Sequence, residues 1–449
     1  MKRIISIIAA MVLTFSTFAA NIEIDRQWYL AGEKMSVTIT ADGANIAYAE
    51  LCDTRGLVNG VAVNLVDGKG TGALEIPAGI HSGYYVLSAY TRDNANVSRQ
   101  FVAIVNPLIK SENDDIEWVK LSDDTLSFAT ILEDEPVSVA SLADKKDVGI
   151  RETEGHIVMA RVKNVLVDST LSVCPTCGQF LPPDSPLRKI HGITTFEALQ
   201  IVPSISIVGK QVHYFEGKML NDTTAMFFTF GVQGKQPLVL SAASATGKSL
   251  PIEMISPFAQ LIPEKVPHLI FCYNRSEVEQ RSKDMQLHQI AIAPEKEELV
   301  IGGQVDDGTI EKGVPLNYDD KVFGLSPVRS YNLDEYRQFY TIGEVITEYI
   351  SNVRSSKING VNSLVLYDAN EGLSSWPALV FIDGMPVIDV DRLLKYDARR
   401  IQFINEYEGR FTFGGGIYKG IVSIVSRSGS LTNYPTEPNT QYIVYDFPQ

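Results

Sequence analysis

Two apolar runs near the end of the chain, 378–382 (ALVFI) and 420–425 (GIVSIV), constrain its fold more than any other feature. A strand with one wet face alternates apolar and polar residues, whereas runs without alternation fit strands covered on both faces. Between them lie Asp383-Gly384, an Asp389 placed to open a short helix, a second strand over 400–405 and the cluster Gly414-Gly415-Gly416. Asp-Gly and Gly-rich strings supply tight turns. The stretch 375–429 therefore predicts a compact α+β unit. Just upstream, Thr341 is a good helix N-cap and Glu344, three residues on, completes a capping box. Ile342, Val345, Ile346, Tyr349, Ile350 and Val353 then recur at helical spacing, predicting a helix that packs on a sheet of SLVLYD (363–368), ALVFI, RRIQFIN and GIVSIVS.

The N-terminus has another character. Lys2 and Arg3 precede an apolar run over 4–15, and Thr17, Ala19 and Ala20 close it with small residues, the pattern of a secretory signal peptide over 1–20. The run is too short for a membrane span, which takes about twenty apolar residues. No Cys follows it to carry a lipid. The expectation is an exported protein, periplasmic or outer-membrane associated, with no transmembrane segment after cleavage. The formal charge is −15, and loss of Lys2 and Arg3 makes the mature chain more acidic still. That sign repels phosphate backbones, so nucleic acid is not an expected partner.

Length allows about three domains. Over 21–107, short segments such as KMSVTITA, IAYAEL, GYYVLSAYT and RQFVAIV are spaced by Gly, Asp and Asn, which predicts a β-sandwich. Residues 108–150 are acidic and mixed, a β connector or small β domain. From 151 to 295 β segments return in HIVMARV, AMFFTFGV and PLVLSAAS, followed by a charged helix over 277–287 with Val278 and Met285 on one face. Turn-rich sequence over 296–330 reads as linker, 331–430 as the α+β unit, and 431–449 as a polar tail. The tail's late aromatics Tyr442, Tyr445 and Phe447 suit docking back on a domain or a binding edge strand.

Chemistry-bearing motifs are sparse. Cys174 and Cys177 stand in CPTCG. In an oxidising compartment the pair suits a local disulfide or structural thiols; the spacing also matches half of a zinc knuckle, without a second half, and a redox pair, without the strand-to-helix setting. The string AASATGKS (242–249) ends like a phosphate loop but has Ala242 in place of the first glycine and no helix pattern behind it. Gly414 to Gly416 lead into a strand, not a helix N-terminus, so a turn explains them better than a dinucleotide site. The histidines are isolated and the acidic pairs lie in turns. No catalytic residue, cofactor or metal ligand is expected, and the chain is not read as an enzyme.

Three sets of segments carry family resemblances. "ALVFIDGMPV", "YDARRIQFINEYEG" and "GGGIYKGIVSIVSRSG" resemble the plug domain of TonB-dependent outer-membrane receptors. In those receptors a long barrel follows, whereas this chain ends at Gln449, so the expectation is a plug-like unit without a barrel of its own. "DRQWYLAGEKMSVTI", "AYAELCDTRG" and "SGYYVLSAYTRD" resemble macroglobulin-type sandwich domains of Bacteroidetes envelope proteins. That family's thioester string is missing, and covalent protease trapping is not implied. "EGHIVMARV" and "AMFFTFGVQGKQPLVLSAASATGKSLPIEMISPF" resemble carboxypeptidase-regulatory-like sandwiches. Together the resemblances imply a mainly β multidomain fold, immunoglobulin-like β-sandwiches followed by a small α+β plug-like domain. They imply a non-enzymatic envelope protein that binds a protein or polymer partner, or else an accessory docking on a separate outer-membrane barrel; a hydrolase with an unrecognised site is the remote alternative. The expected interaction loops are the turn Asp383, Gly384, Met385, Pro386 and the hairpin carrying Phe411, Gly414, Gly415, Gly416 and Tyr418.

Overall fold

In the strand Lys34–Thr40 every second side chain, Met35, Val37 and Ile39, is fully buried, the signature of a strand with one face on a core. The computed structural model describes residues 20–449 apart from 93–96, 110–115, 123, 132–151, 154, 164–171, 174–179, 182–200, 209–211, 222, 245–248, 293–320, 359–360, 369–371, 414–415 and 429–438. It is mostly β. Two units separate: Met1–Thr153 with Phe258–Ile292 and Pro448–Gln449, and Glu154–Pro257 with Ala293–Phe447.

The first unit is a sandwich. Lys34–Thr40 lies between Asn21–Ile24 and Lys69–Glu75 in a three-stranded antiparallel sheet. Facing it is a five-stranded sheet ordered Trp28–Leu30, Ser98–Val105, Gly83–Tyr90, Ile46–Asp53, Gly56–Asn64. Tyr29, Met35, Ala49, Leu51, Leu87 and Ile104 fill the space between. Ile46–Asp53 is buried on its other face too, because Phe258–Ile292 covers it: Leu261 packs with Tyr48 and Tyr90, and Phe271 and Val278 pack with Trp28 and Val105. The helix Arg275–Ile292 starts at Asn274, whose side chain accepts the Ser276 N–H at 2.9 Å. Arg281 fixes it, stacking 3.7 Å over the Trp28 ring and forking onto Glu33 at 3.2 and 2.7 Å. Residues 258–292, expected in the second sandwich, thus belong to the first unit. Periodicity reports that a face is covered; it does not say what covers it.

The second unit holds another sandwich. One sheet runs His213–Glu216, Val202–Ile207, Gly234–Ala243, Gln441–Phe447; the other runs Lys218–Met219, Thr224–Thr229, His156–Val162, Ile252–Ile255. Val158, Phe227, Leu238, Leu240, Tyr445 and Phe447 form its core. The tail therefore docks back: Gln441–Phe447 pairs antiparallel with Gly234–Ala243 along seven residues, from Gly234↔Phe447 to Leu240↔Gln441.

The remainder of the second unit is a C-terminal module. Its five-stranded sheet is ordered Arg329–Asn332, Ile401–Phe413, Gly416–Ser426, Leu379–Ile382, Met385–Pro386, with Leu379–Ile382 parallel to Gly416–Ser426. Four-residue Leu379–Ile382 is buried throughout, as the ALVFI run requires. Val361–Asp368, expected in this sheet, instead pairs with Val353–Ile358 and Gly372–Leu373 in a sheet of three. The helix Ile342–Glu348 carries the capping box in full, Thr341 and Glu344 each bonding the other's backbone. It is shorter than its apolar stripe. Tyr349 caps it, and Val353 opens the next strand while staying in the same core as Ile350. Asp389 caps the short helix Val390–Leu394.

Candidate functional site

Asp383 and Gly384 both take positive φ, 46° and 82°, so the hairpin from Leu379–Ile382 to Met385–Pro386 closes in a two-residue turn of the type that Asp-Gly favours. Asp383 turns its carboxylate inward, where it accepts the Ser426 backbone N–H at 2.8 Å and the Ser426 hydroxyl. Burial pushes its pKa up to about 6 against those two stabilising bonds. The Gly384 carbonyl accepts the Ser206 hydroxyl at 2.8 Å, and a Cβ on Gly384 would come within 2.9 Å of Val212. Tyr442 donates to the Met385 sulfur at 2.9 Å, and Gly384, Met385 and Pro386 are buried. The turn expected to meet a partner is therefore occupied by the second unit's own sandwich and last strand.

The hairpin differs only in degree. Phe411 lies opposite Tyr418 across Ile401–Phe413 and Gly416–Ser426, and both pack half-buried against Tyr214, Phe381 and Tyr407. The Tyr418 hydroxyl donates to the buried carboxylate of Glu216, and burial holds that phenol far above its ordinary pKa. Gly416 begins the strand opposite Phe413, while Gly414 and Gly415 lie outside the described residues. Cys174 and Cys177 lie outside them as well. Cys52 and Cys272 are free and buried; desolvation and nearby Glu50 raise the Cys52 thiol, which suits an inert core residue. Among the described residues no group of three His, Cys, Asp or Glu is placed to hold a metal ion. His156 is interior, its Nε2 2.6 Å from the Tyr445 hydroxyl.

What the module presents to solvent is a different set of side chains. Tyr367 and Leu373, paired across two strands, are 50% and 48% exposed, and Trp376, three residues after Leu373, is 51% exposed. Ser374 fixes the approach to Trp376: its hydroxyl donates to the Trp376 carbonyl at 2.9 Å and accepts the Trp376 N–H at 3.0 Å. Pro377 next to it accepts the Lys419 N–H at 3.0 Å, which places the patch at the start of Gly416–Ser426. At the other end of that strand, Arg427 lines a shallow open cleft with Tyr336, Arg337, Phe339, Tyr349 and Arg399. Eight residues at roughly 3.3 Å each separate Lys419 from Arg427, so the two surfaces are distinct. Neither surface is marked by a sequence pattern. Trp376 stands in the turn before ALVFI, and an aromatic residue in a turn is a signal that apolar periodicity passes over.

No protein-family model and no curated protein matches the sequence. Among solved structures the chain is similar to the BSP domain of a biofilm-associated protein, at 12% identity and TM-score 0.16 over 57% of this chain and 30% of that one. It is also similar to Escherichia coli alpha-2-macroglobulin, at 9% identity and TM-score 0.18 over 57% of this chain and 14% of that one. A third is the Escherichia coli adhesin FdeC, at 11% and 0.17 over 58% and 65%. The chain spans less than a third of the first two matched proteins. Among the described residues no helix is long and apolar enough to cross a membrane.

Proposed function

We propose that this is a non-enzymatic, exported cell-envelope protein that binds a protein or polymer partner, with the C-terminal module as its interaction element. The signal-like N-terminus, the plug and sandwich resemblances and the acidic composition motivate the compartment. The observation that carries the binding role is the half-exposed cross-strand pair Tyr367 and Leu373, followed three residues later by the half-exposed Trp376. Clustered exposed apolar groups mark interaction surfaces, and aromatic anchors held before contact lose little entropy on binding. Ser374 holds the Trp376 backbone through its N–H and carbonyl. The two expected loops act differently in this reading: the 383–386 turn and the Phe411/Tyr418 pair tie the module to its neighbouring strands.

The test is mild cross-linking of intact cells, recovery of the tagged protein and quantification of what accompanies it, for the parent and for Trp376→Ala with Tyr367→Ala. One envelope protein or glycan recovered near stoichiometrically with the parent, and lost from an equally stable variant, supports the reading. An outer-membrane barrel in that place would make the chain an accessory in uptake. A free soluble protein with no companion, or equal recovery by both forms, overturns it. Deleting 331–449 is unsuitable, because it removes Gln441–Phe447 from the sandwich.

A further inference from the structure

The three-stranded sheet of the C-terminal module ends on a strand paired along one side only. Val353–Ile358 bonds Val361–Asp368, and among the described residues no strand lies on its other side. Arg354, Ser355 and Lys357 on it are exposed. The Tyr367 N–H donates to the Asn352 carbonyl at 2.7 Å, which marks a hydrogen-bonded rung at that pair. Such rungs alternate along an antiparallel ladder. Arg354, Ser356 and Ile358 therefore turn their backbone groups onto Val361–Asp368, while Val353, Ser355 and Lys357 turn theirs outward. The outward Val353 carbonyl is filled, since it and the Ile350 carbonyl each accept Arg354 Nη1 at 2.8 Å. Ser355 and Lys357 are left presenting an N–H and a C=O each, roughly 7 Å apart along the strand.

Open edges invite strand addition, and proteins close them with proline, burial or charge. The module's five-stranded sheet is closed in this way. Met385–Pro386 at one edge is buried and Pro386 has no N–H to offer; Arg329 at the other edge is neutralised by Glu406 at 3.2 Å and Glu408 at 2.5 Å. Val353–Ile358 carries no proline and no acid. Its charges are Arg354 and Lys357, three residues apart and so on opposite faces of the strand. Among the described residues neither makes an ion pair; Asp391 accepts instead from the side chain of Asn362, opposite Lys357. These two cations stand on a chain whose formal charge is −15. Like charges disfavour a second copy of the same edge, whereas acidic side chains opposite them favour pairing.

We propose that Val353–Ile358 takes an extended acidic segment of a partner protein as a fourth strand, Ser355 and Lys357 supplying main-chain bonds and Arg354 and Lys357 each meeting a carboxylate on its own face. In this mode main-chain bonds give affinity and side chains give specificity. The proposal deepens the reading of the module as interaction element and rests on it. The edge itself is separate from Leu373, because Val361–Asp368 lies between them.

The experiment is ligand-observed NMR on the purified full chain with the blocked peptide Thr-Val-Asp-Glu-Val-Thr-Val, its Asn-Gln counterpart and a fully N-methylated version of the acidic peptide. The acidic peptide should bind with a Kd on the order of 0.1–1 mM, the other two at least tenfold more weakly, and high salt should weaken the first. Ser355→Pro should abolish binding and keep the circular dichroism spectrum, because the N–H it removes lies outside the ladder. Arg354→Glu with Lys357→Glu should exchange the preference for a Lys-Lys peptide, a gain that only a folded chain can show. Equal binding of the neutral or N-methylated peptide, unchanged affinity in Ser355→Pro, or no binding of the acidic peptide overturns the proposal. So does a dimer of the parent that Ser355→Pro dissociates, which would make a second copy the occupant. Trp376→Ala with Tyr367→Ala should bind the acidic peptide as the parent does, so loss of a cellular companion in that variant and loss of the peptide in Ser355→Pro report on different surfaces.

Discussion

The carboxylate of Glu50, fully buried in the middle of Ile46–Asp53, accepts the backbone N–H of Gln260 at 3.0 Å, across a sequence separation of 210 residues. It also accepts the Leu261 N–H and, at 3.1 Å, the Tyr90 hydroxyl. A buried charge costs little only when its lone pairs are filled, and here the returning segment fills them. Glu50→Ala should destabilise the first unit by about 3–5 kcal/mol, because it strands two amides and a phenol. Urea denaturation measures the loss, and hydrogen exchange should show residues 258–262 deprotected first.

Asp383 predicts a pH dependence of definite sign. Its folded pKa is raised to about 6 from an ordinary 3.8, so the neutral form is favoured in the fold. Its contribution is fully present below about pH 4 and is lost as pH rises through about 6, a change on the order of 2–3 kcal/mol. Compared with the parent, Asp383→Asn should show a flatter stability profile between pH 4 and 7. Parallel profiles for the two forms would contradict the assignment.

Gly384 combines φ of +82° with a neighbour 2.9 Å from any Cβ. Gly384→Ala should cost about 1–3 kcal/mol through backbone strain and displacement of Val212. Gly79, with nothing within 4 Å of a Cβ and no left-handed φ, is the control, and its alanine variant should unfold with the parent in a thermal melt.

The last strand tests the second sandwich. Phe447 is 1% exposed in its core, whereas Val444 on the same strand is 66% exposed. Phe447→Ala should cost about 3–5 kcal/mol and Val444→Ala within about 0.5. Similar losses for both would place the strand elsewhere.

Trp376→Ala should leave the unfolding free energy within about 0.5 kcal/mol of the parent, since the ring is half exposed. Fluorescence-monitored urea unfolding is unsuited to that variant; circular dichroism gives the comparison.

By itself the sequence determined the local pieces. Thr341 and Glu344, Asp389 and Asp383-Gly384 did what their chemistry dictates, since caps and tight turns are settled within a few residues. The unalternating ALVFI run likewise declared a strand buried on both faces. The apolar stripe that reaches Val353 overran the helix, because a residue after the turn can return to the same core. Tertiary structure alone decided which layers meet. Glu50 finds its donors at 260 and 261, Gly384 faces Ser206 and Val212, and Tyr445 and Phe447 complete a sandwich begun at His156. Local preference reaches three or four residues, whereas covering an apolar face can draw on any part of the chain. So a turn that reads as a free loop becomes an internal joint, and the exposed surface shifts to Trp376 and the edge of Val353–Ile358.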